Sequence, residues 1–307
     1  MHRTTDALYI VPAAGKGTRL GRLTEKRAKP AVAVSFDPLT GDITRMIDIP
    51  LGAIQQAGGS AIVTTHFAVD TLAFVKTYDN VTVVDDGGYI TPLDSASRNR
   101  AIIEKSNASI IGIVPADYDI RTETLLALQT ALRATNAAAV IMGTRYVEGH
   151  LHVRPVDRHG FVMPVGAKPH GYIADLGVHV IDKEWFTKRL KYCETGLDSI
   201  DIWDDFYRIH NPLAPILIFV PEEDRPWIDM GRPHLLRDTM YRLNGAQADA
   251  YGNIRFPGAT LMPRSSNTIA LPGSAGLSVF NDAIIPEGAI ARYHSEILQV
   301  HTPAITT

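Results

Sequence analysis

Two hydrophobic periods alternate along the first half of the chain. Short apolar runs, rich in β-branched residues, occupy residues 8–11, 61–65, 81–84, 109–114 and 138–143. Unbroken runs of this length, bounded by polar or glycine-containing stretches, read as buried strands. Between them the period lengthens. Residues 46–57 place Ile47, Leu51 and Ile54 on one face and stop at Gly58 and Gly59, and residues 122–134 bring Leu125, Leu128 and Leu132 together. Spacings of three and four predict amphipathic helices. Strands alternating with helices predict a parallel sheet covered on both faces. Such sheets bind ligands at the carboxyl ends of their strands. Gly15 and Asp117 each follow a strand run, so both fall at that edge.

The middle of the chain changes character. Extended runs at 153–156, 161–165 and 173–181 alternate with turns, and helical stretches follow around 182–192 and 198–209. A strand over 215–220, the segment 226–232 and a helix through Asn244 complete the pattern. Beyond Gly245, prolines and glycines punctuate short apolar pieces at 259–262, 277–280 and 283–285. The expected division is a main domain over 1–245 and a short β-rich extension over 246–307. The extension is too short to bury its apolar pieces by itself. It must cover the main domain or a second copy of the chain, and the simplest expectation is a homodimer or higher homo-oligomer.

Composition removes several classes of function. The chain has 307 residues, 45% apolar and 21% charged, as an ordinary globular protein does. A net charge of -3 carries no basic footprint, so nucleic acid is not an expected partner. No apolar run approaches the ~20 residues that span a bilayer, so no membrane partner is expected either. The polar first six residues lead straight into a strand and do not read as a signal peptide. Cys193 is the only cysteine, which rules out an internal disulfide and fits a reducing, cytoplasmic compartment.

The candidate chemistry begins where the first strand ends. Ala13, Ala14, Gly15, Lys16 and Gly17 form a small turn whose backbone N–H groups can hold phosphate oxygens. Thr18 and Arg19 stand at its mouth, and Arg19 supplies a planar cationic fork suited to phosphate. Lys29 adds a second, point-like cation. A turn with two fixed cations suits a triphosphate. Asp117, at the exit of a buried run, is either a turn cap or a metal ligand, and Asp119 could share either task. Asp229 repeats the setting, an apolar approach ending in an acid close to Gly231.

These residues also carry a resemblance. Gly15-x-Gly-Thr-Arg-Leu20, Arg27-Ala-Lys-Pro30 and Ile47-Asp-Ile-Pro-Leu51 with Ala57-Gly58 resemble the sugar-1-phosphate nucleotidyltransferases, in particular the ADP-glucose pyrophosphorylase branch. The resemblance runs from the first strand to about residue 245. It implies a three-layer, Rossmann-like α/β domain with a mixed, mainly parallel sheet, followed by one or two vestigial coils of a left-handed β-helix or by an irregular tail. It implies an enzyme that joins a nucleoside triphosphate to a sugar 1-phosphate and releases pyrophosphate. Ala13, Ala14, Gly15, Gly17 and Thr18 then hold the nucleotide, and Arg19 and Lys29 are catalytic. Asp117 and Asp229 bind Mg²⁺, which needs few carboxylates beside waters and phosphates. Lys168 and Gly177 hold the sugar phosphate.

Three departures qualify that picture. Ala167 stands where the family has a glutamate before the lysine, so a sugar-like cyclitol phosphate competes with glucose 1-phosphate as the expected acceptor. Pro92 and Leu93 replace a small glycine where the base is expected to approach, so the base is open, ATP being favoured and GTP next. Ala13 and Ala14 stand for glycines but leave the backbone accessible. Two rivals follow. A nicotinamide-dependent oxidoreductase lacks the third fingerprint glycine, since residue 20 is Leu, and leaves Arg19 and Lys29 unexplained. A non-catalytic subunit that binds nucleotide sugars fits the departures but not the retained charges. Elsewhere, His66 and the pair Asp85-Asp86 read as turn residues, and the acidic run from Asp198 to Asp205 reads as a helix with a solvated face.

Overall fold

The computed structural model describes residues 6–24, 28–36, 43–85, 87, 91–145, 152–164, 167–193, 199–207, 215–221, 227–231, 236, 239 and 243, and short strands between 247 and 301. The strands are β1 (Ala7–Pro12), β2 (Ala33–Phe36), β3 (Ile43–Arg45), β4 (Ser60–Thr65), β5 (Val81–Asp85), β6 (Ile110–Ile113), β7 (Tyr118–Ile120), β8 (Ala139–Thr144), β9 (Val153–Val156), β10 (Gly171–Asp182), β11 (Ile216–Phe219) and β12 (Trp227–Asp229). The helices are α1 (Asp48–Gln56), α2 (Pro92–Arg98), α3 (Arg100–Lys105), α4 (Thr122–Ala134) and α5 (Lys183–Cys193). They fall into two compact units. One comprises Met1–Gly15, Pro50–Ala116 and Ile120–Trp227; the other comprises Lys16–Ile49, Asp117–Asp119 and Ile228–Thr307.

The first unit is built on an eight-stranded sheet in the order β11-β8-β10-β6-β1-β4-β5, with β9 paired to β10. The pairs β6/β1, β1/β4, β4/β5 and β11/β8 are parallel, whereas β10 runs antiparallel to β6, β8 and β9. The expected mixed, mainly parallel α/β sheet is therefore present. Its centre is apolar for the reason the runs suggested. Leu8, Ile10, Ile62, Ile111, Ile113, Ile141 and Ile181 are buried with Phe186 and Leu190 of α5. Each such side chain contributes about 1.5–3 kcal/mol when fully buried. Tyr9 lies opposite Gly112 in the β1/β6 register, and a Cβ at Gly112 would run into its ring. The Tyr9 hydroxyl accepts a hydrogen bond from Gln129 of α4 at 2.6 Å, and burial pushes its pKa up to about 12.

Two local expectations are corrected, and a third stretch gains a definite structure. Of the strand expected over 161–165, the described residues 161–164 form none; Phe161 and Val162 make only isolated bridges, to Leu217 and Val156. Asp157 explains this, because its Oδ1 accepts the N–H groups of His159 and Phe161 and curls the chain through Gly160 at φ +88°; Val165 lies outside the described residues. Of the helix expected over 198–209, the described residues 199–207 form one π-helical turn, Ile202–Phe206. Asp201 caps it by accepting the N–H groups of Trp203 and Asp204, while Trp203 and Phe206 are buried. The stretch around Pro92, where the base is expected to approach, is α2. Thr91 and Asp94 form a reciprocal capping box, Pro92 occupies the first turn and Leu93 is fully buried.

In the second unit, short 3-10 turns at Thr18–Thr24 and Lys29–Ala31 precede the β2/β3 hairpin, and β7 pairs with β12. Leu20, Val32, Val34, Met46, Met230 and Leu236 form its core. The extension is β-rich, with β13 (Gln247–Ala248), β14 (Ile254–Phe256), β15 (Ala259–Leu261), β16 (Ser278–Phe280), β17 (Ala283–Ile285), β18 (Ile290–His294) and β19 (Ile297–His301). The described pairs are antiparallel. β-Helix coils would stack their strands in parallel, which requires a connection of a dozen residues or more. Only two residues separate β14 from β15, β16 from β17 and β18 from β19, so these pieces close as hairpins.

Candidate functional site

The site builds up from Gly17. Its φ of +64° is a left-handed conformation that L side chains avoid. A Cβ there would lie 2.6 Å from Cβ of Lys29 and 3.1 Å from Cγ2 of Thr24. Its carbonyl accepts the Leu20 N–H and the Thr24 hydroxyl, each at 2.9 Å. The turn is thus folded directly against the stem of Lys29. Backbone bonds fix that residue further: its carbonyl accepts the Val32 N–H, and the Pro30 carbonyl accepts the Ile47 N–H.

Lys29 reaches Asp117, and the two side chains are 13% and 15% exposed. The ammonium and carboxylate are in direct ion-pair contact. Asp117 follows β6, and its carbonyl accepts the Met230 N–H at 3.0 Å, which brings in the end of β12. Asp229 turns back to accept the Gly231 N–H at 2.7 Å. A Cβ on Gly231 would lie 2.7 Å from Asp229 Oδ1 and 2.9 Å from Asp117 Oδ2, and would also meet the Lys29 ammonium. Glycine therefore keeps a small cradle open where three charged groups converge. Burial raises the pKa of Asp117; Lys29 pulls it down and the neighbouring Asp229 carboxylate pushes it up again. Among the described residues, Asp117 thus has one ammonium, Lys29, and one carboxylate, Asp229, as its charged neighbours.

That donor set fits a hard divalent cation. Mg²⁺ uses one or two protein carboxylates and fills its remaining positions with water and phosphate. No group of three or more His, Cys, Asp or Glu side chains forms a complete cage among the described residues. Asp117, Asp229 and Lys29, expected to act together, are together in this unit, and Gly231 is a participant that the sequence offered only as a turn glycine. Thr18 and Arg19 are exposed. In the other unit, Gly15 is exposed with open space around its Cβ position. The Ala13 N–H is already donated to the Thr64 carbonyl at 2.8 Å and continues the sheet.

The first unit also carries Lys168 and Gly177. Lys168 is exposed. Gly177, at φ +73°, sits in an irregularity of β10, where the register against β8 shifts between Asp175 and His179. Asp175 Oδ1 accepts the Gly177 N–H at 2.6 Å, and Oδ2 accepts the indole N–H of Trp203 at 2.7 Å. His179 Nδ1 lies 3.2 Å from the Tyr207 hydroxyl; burial lowers the histidine pKa and raises that of the tyrosine. Sequence reasoning missed this cluster. Its signal was an acid and a histidine inside an otherwise apolar strand run. A cavity of about 440 Å³ over Val156, Ile173 and Ile218 includes none of these residues. His66 lies 3.4 Å from Asp85 at an exposed turn, and Cys193 is buried.

The sheet and its covering helices define an α/β, Rossmann-like domain. The chain is similar to proteins named glucose-1-phosphate adenylyltransferase. It is 26% identical over 216 residues to that of Bradyrhizobium diazoefficiens, covering 61% of this chain and 50% of the relative. The corresponding figures are 25% over 224 residues, 62% and 52%, for Kocuria rhizophila, and 24% over 243 residues, 67% and 56%, for Methylococcus capsulatus. The chain thus spans about half the length of the curated relatives it matches. No family model matches it. Among the described residues, no helix is long and apolar enough to cross a membrane.

Proposed function

We propose that the chain is a Mg²⁺-dependent sugar-phosphate nucleotidyltransferase of the cytoplasm. It takes a nucleoside triphosphate, ATP first and GTP next, and a sugar 1-phosphate or sugar-like cyclitol phosphate. A phosphate oxygen of the acceptor attacks the α-phosphorus, the bond to the β-phosphate oxygen breaks, and pyrophosphate leaves. The observation that carries this reading is the convergence of Lys29, Asp117 and Asp229 around Gly231. The similarity to adenylyltransferases supports it.

A phosphate nucleophile is ionised at neutral pH, so the protein needs no general base. It must position the groups and neutralise charge. Asp117 and Asp229 would hold the metal ion, which supplies charge neutralisation to phosphate oxygens when bound. Lys29 has three donors, and one goes to Asp117; the others serve the phosphoryl oxygens as charge builds. Arg19 holds the leaving β,γ-phosphates, and Ala14, Gly15, Gly17 and Thr18 border them. Lys168 and the Gly177 bulge serve the acceptor. The catalytic part is 1–245; the extension 246–307 serves assembly of a homodimer or higher homo-oligomer. Pyrophosphate release with Mg²⁺, measured over a panel of triphosphates and sugar 1-phosphates, tests the reading. Release that needs both substrates supports it, and release with no pair contradicts it. Light scattering of a chain ending at Gly245 tests the role of the extension, which falls if the oligomeric state is unchanged.

A further inference from the structure

Arg154 has no role in the chemistry above, yet it is built into the acceptor unit. It lies on β9 opposite Ile173 of β10. Its guanidinium carbon is 4.2 Å from the centre of a Trp203 ring. Its Nε is buried without a hydrogen-bond partner. A buried polar nitrogen left unpaired is costly, and native proteins keep few of them. The nearest acid that the Trp203 contact leads to is Asp175, and its oxygens accept the Gly177 N–H and the Trp203 indole N–H, with no bond to Arg154 among the described residues. These contacts link the Gly177 bulge through Asp175 to Trp203, and Trp203 presents its ring to Arg154. The cation–π contact orients the guanidinium plane while leaving its in-plane donors for another group. A planar fork of N–H donors pairs best with an oxyanion.

We infer that Arg154, held against Trp203, binds an oxyanion of the acceptor substrate and helps to select it. The inference rests on the nucleotidyl-transfer reading for what the acceptor is, but its contact is a binding event that needs no turnover. The oxyanion is either the acceptor phosphate or a carboxylate on its ring; both offer the same pair of oxygens.

The test uses the full chain, with glucose 1-phosphate and glucuronic acid 1-phosphate as probes. Affinities come from calorimetry and from tryptophan fluorescence, to which Trp203 contributes beside Trp185 and Trp227; kinetics are measured with a saturating triphosphate. Arg154→Gln should weaken acceptor binding and raise acceptor KM about tenfold or more, while triphosphate KM stays within about twofold. Arg154→Lys should restore little, because an ammonium lacks the fork. It also preserves the charge if the Gln variant folds poorly. An equal loss for both probes assigns the phosphate; a loss confined to the glucuronic ester assigns the carboxylate. Wild-type affinity of both variants for both probes overturns the inference. If the wild-type chain binds the esters but never releases pyrophosphate, and Arg154→Gln still loses binding, the catalytic reading fails while the contact stands.

Discussion

Asp117, in the turn between β6 and β7, and Asp175, within β10, are both largely shielded from solvent, yet the chain holds them in opposite ways. Asp117 faces an ammonium on one side and a second carboxylate, Asp229, on the other. Its charge is only partly offset, and burial raises its pKa. Asp175 has a side chain 4% exposed, and two neutral N–H donors satisfy it. The indole that Asp175 fixes carries a cation, Arg154, over its ring. A carboxylate crowded by another carboxylate is less stable ionised and gains from an added cation. A carboxylate saturated by N–H donors is stable as it stands and orients its neighbours. The first arrangement suits metal-assisted chemistry, and the second suits a scaffold for recognition.

The sharpest way to break this comparison is to neutralise each acid. Asp117→Asn and Asp229→Asn should each lower turnover by about 10²-fold or more, because charge neutralisation at the phosphates is lost. Asp175→Asn should lower turnover less than about tenfold but cost about 1–3 kcal/mol, since an amide N–H₂ cannot accept from Trp203. Stability should separate them further. The folded pKa of Asp117 is raised above the usual 3.8. Its contribution therefore falls as pH climbs from 3.8 through the folded value, and the penalty is complete above it. At pH 7 without metal, Asp117→Asn should match or exceed the wild-type melting temperature, whereas Asp175→Asn should fall below it. Near wild-type turnover in both Asp117→Asn and Asp229→Asn at limiting Mg²⁺ would remove the metal assignment.

Next in size is the glycine pair. Gly17→Ala meets the stem of Lys29 and a positive φ, so it should cost about 1–2 kcal/mol and at least about tenfold in turnover. Gly15→Ala meets nothing and should leave melting unchanged. Any loss of triphosphate affinity in that variant then reports ligand in the open space. Equal destabilisation by both substitutions would contradict the packing role given to Gly17.

How far the sequence foretold these features differs by level. The leucine spacing of α4 matched its observed span, residues 122–134. The core strands were visible because a run buried on both faces is continuously apolar. Strand direction was not visible: nothing in residues 173–181 states that β10 runs against its neighbours, since direction is decided by connections and pairing. The Thr91–Asp94 capping box is present in the sequence as a pattern, but that stretch was read only for its bearing on the base. Lys29 and Asp117 are 88 positions apart, and Asp175 and Trp203 are 28 apart. No periodicity relates such distant residues. Motif order suggested the first pair; only the folded chain reveals the second.

Smaller effects sharpen the picture. Lys29→Ala leaves Asp117, beside Asp229, without its ammonium, so it should cost about 2 kcal/mol in metal-free protein, partly restored by Mg²⁺. Lys29→Ala and Arg19→Ala should both lower the chemical rate more than affinity for the product nucleotide sugar. Equal losses in rate and product affinity would make them plain nucleotide-binding residues. The smallest effect concerns His179, whose environment includes Asp175, His152 and the Tyr207 hydroxyl. Burial depresses its pKa below 6.5, so below that pH the unfolded chain binds a proton that the folded chain resists. Stability should fall as pH drops from about 7 toward 5, and His179→Asn should flatten that fall in a series of thermal melts.

The most direct test of the central claim is phosphorus NMR of one reaction mixture containing the chain, Mg²⁺, ATP and a sugar 1-phosphate. The account predicts that the sugar phosphate and α-phosphate signals are replaced by a coupled pair from a new diphosphate linkage, together with free pyrophosphate. It also predicts that Asp229→Asn leaves the starting spectrum unchanged over the same time. Formation of nucleoside monophosphate with the sugar phosphate untouched, or no change with any triphosphate and acceptor, would contradict it.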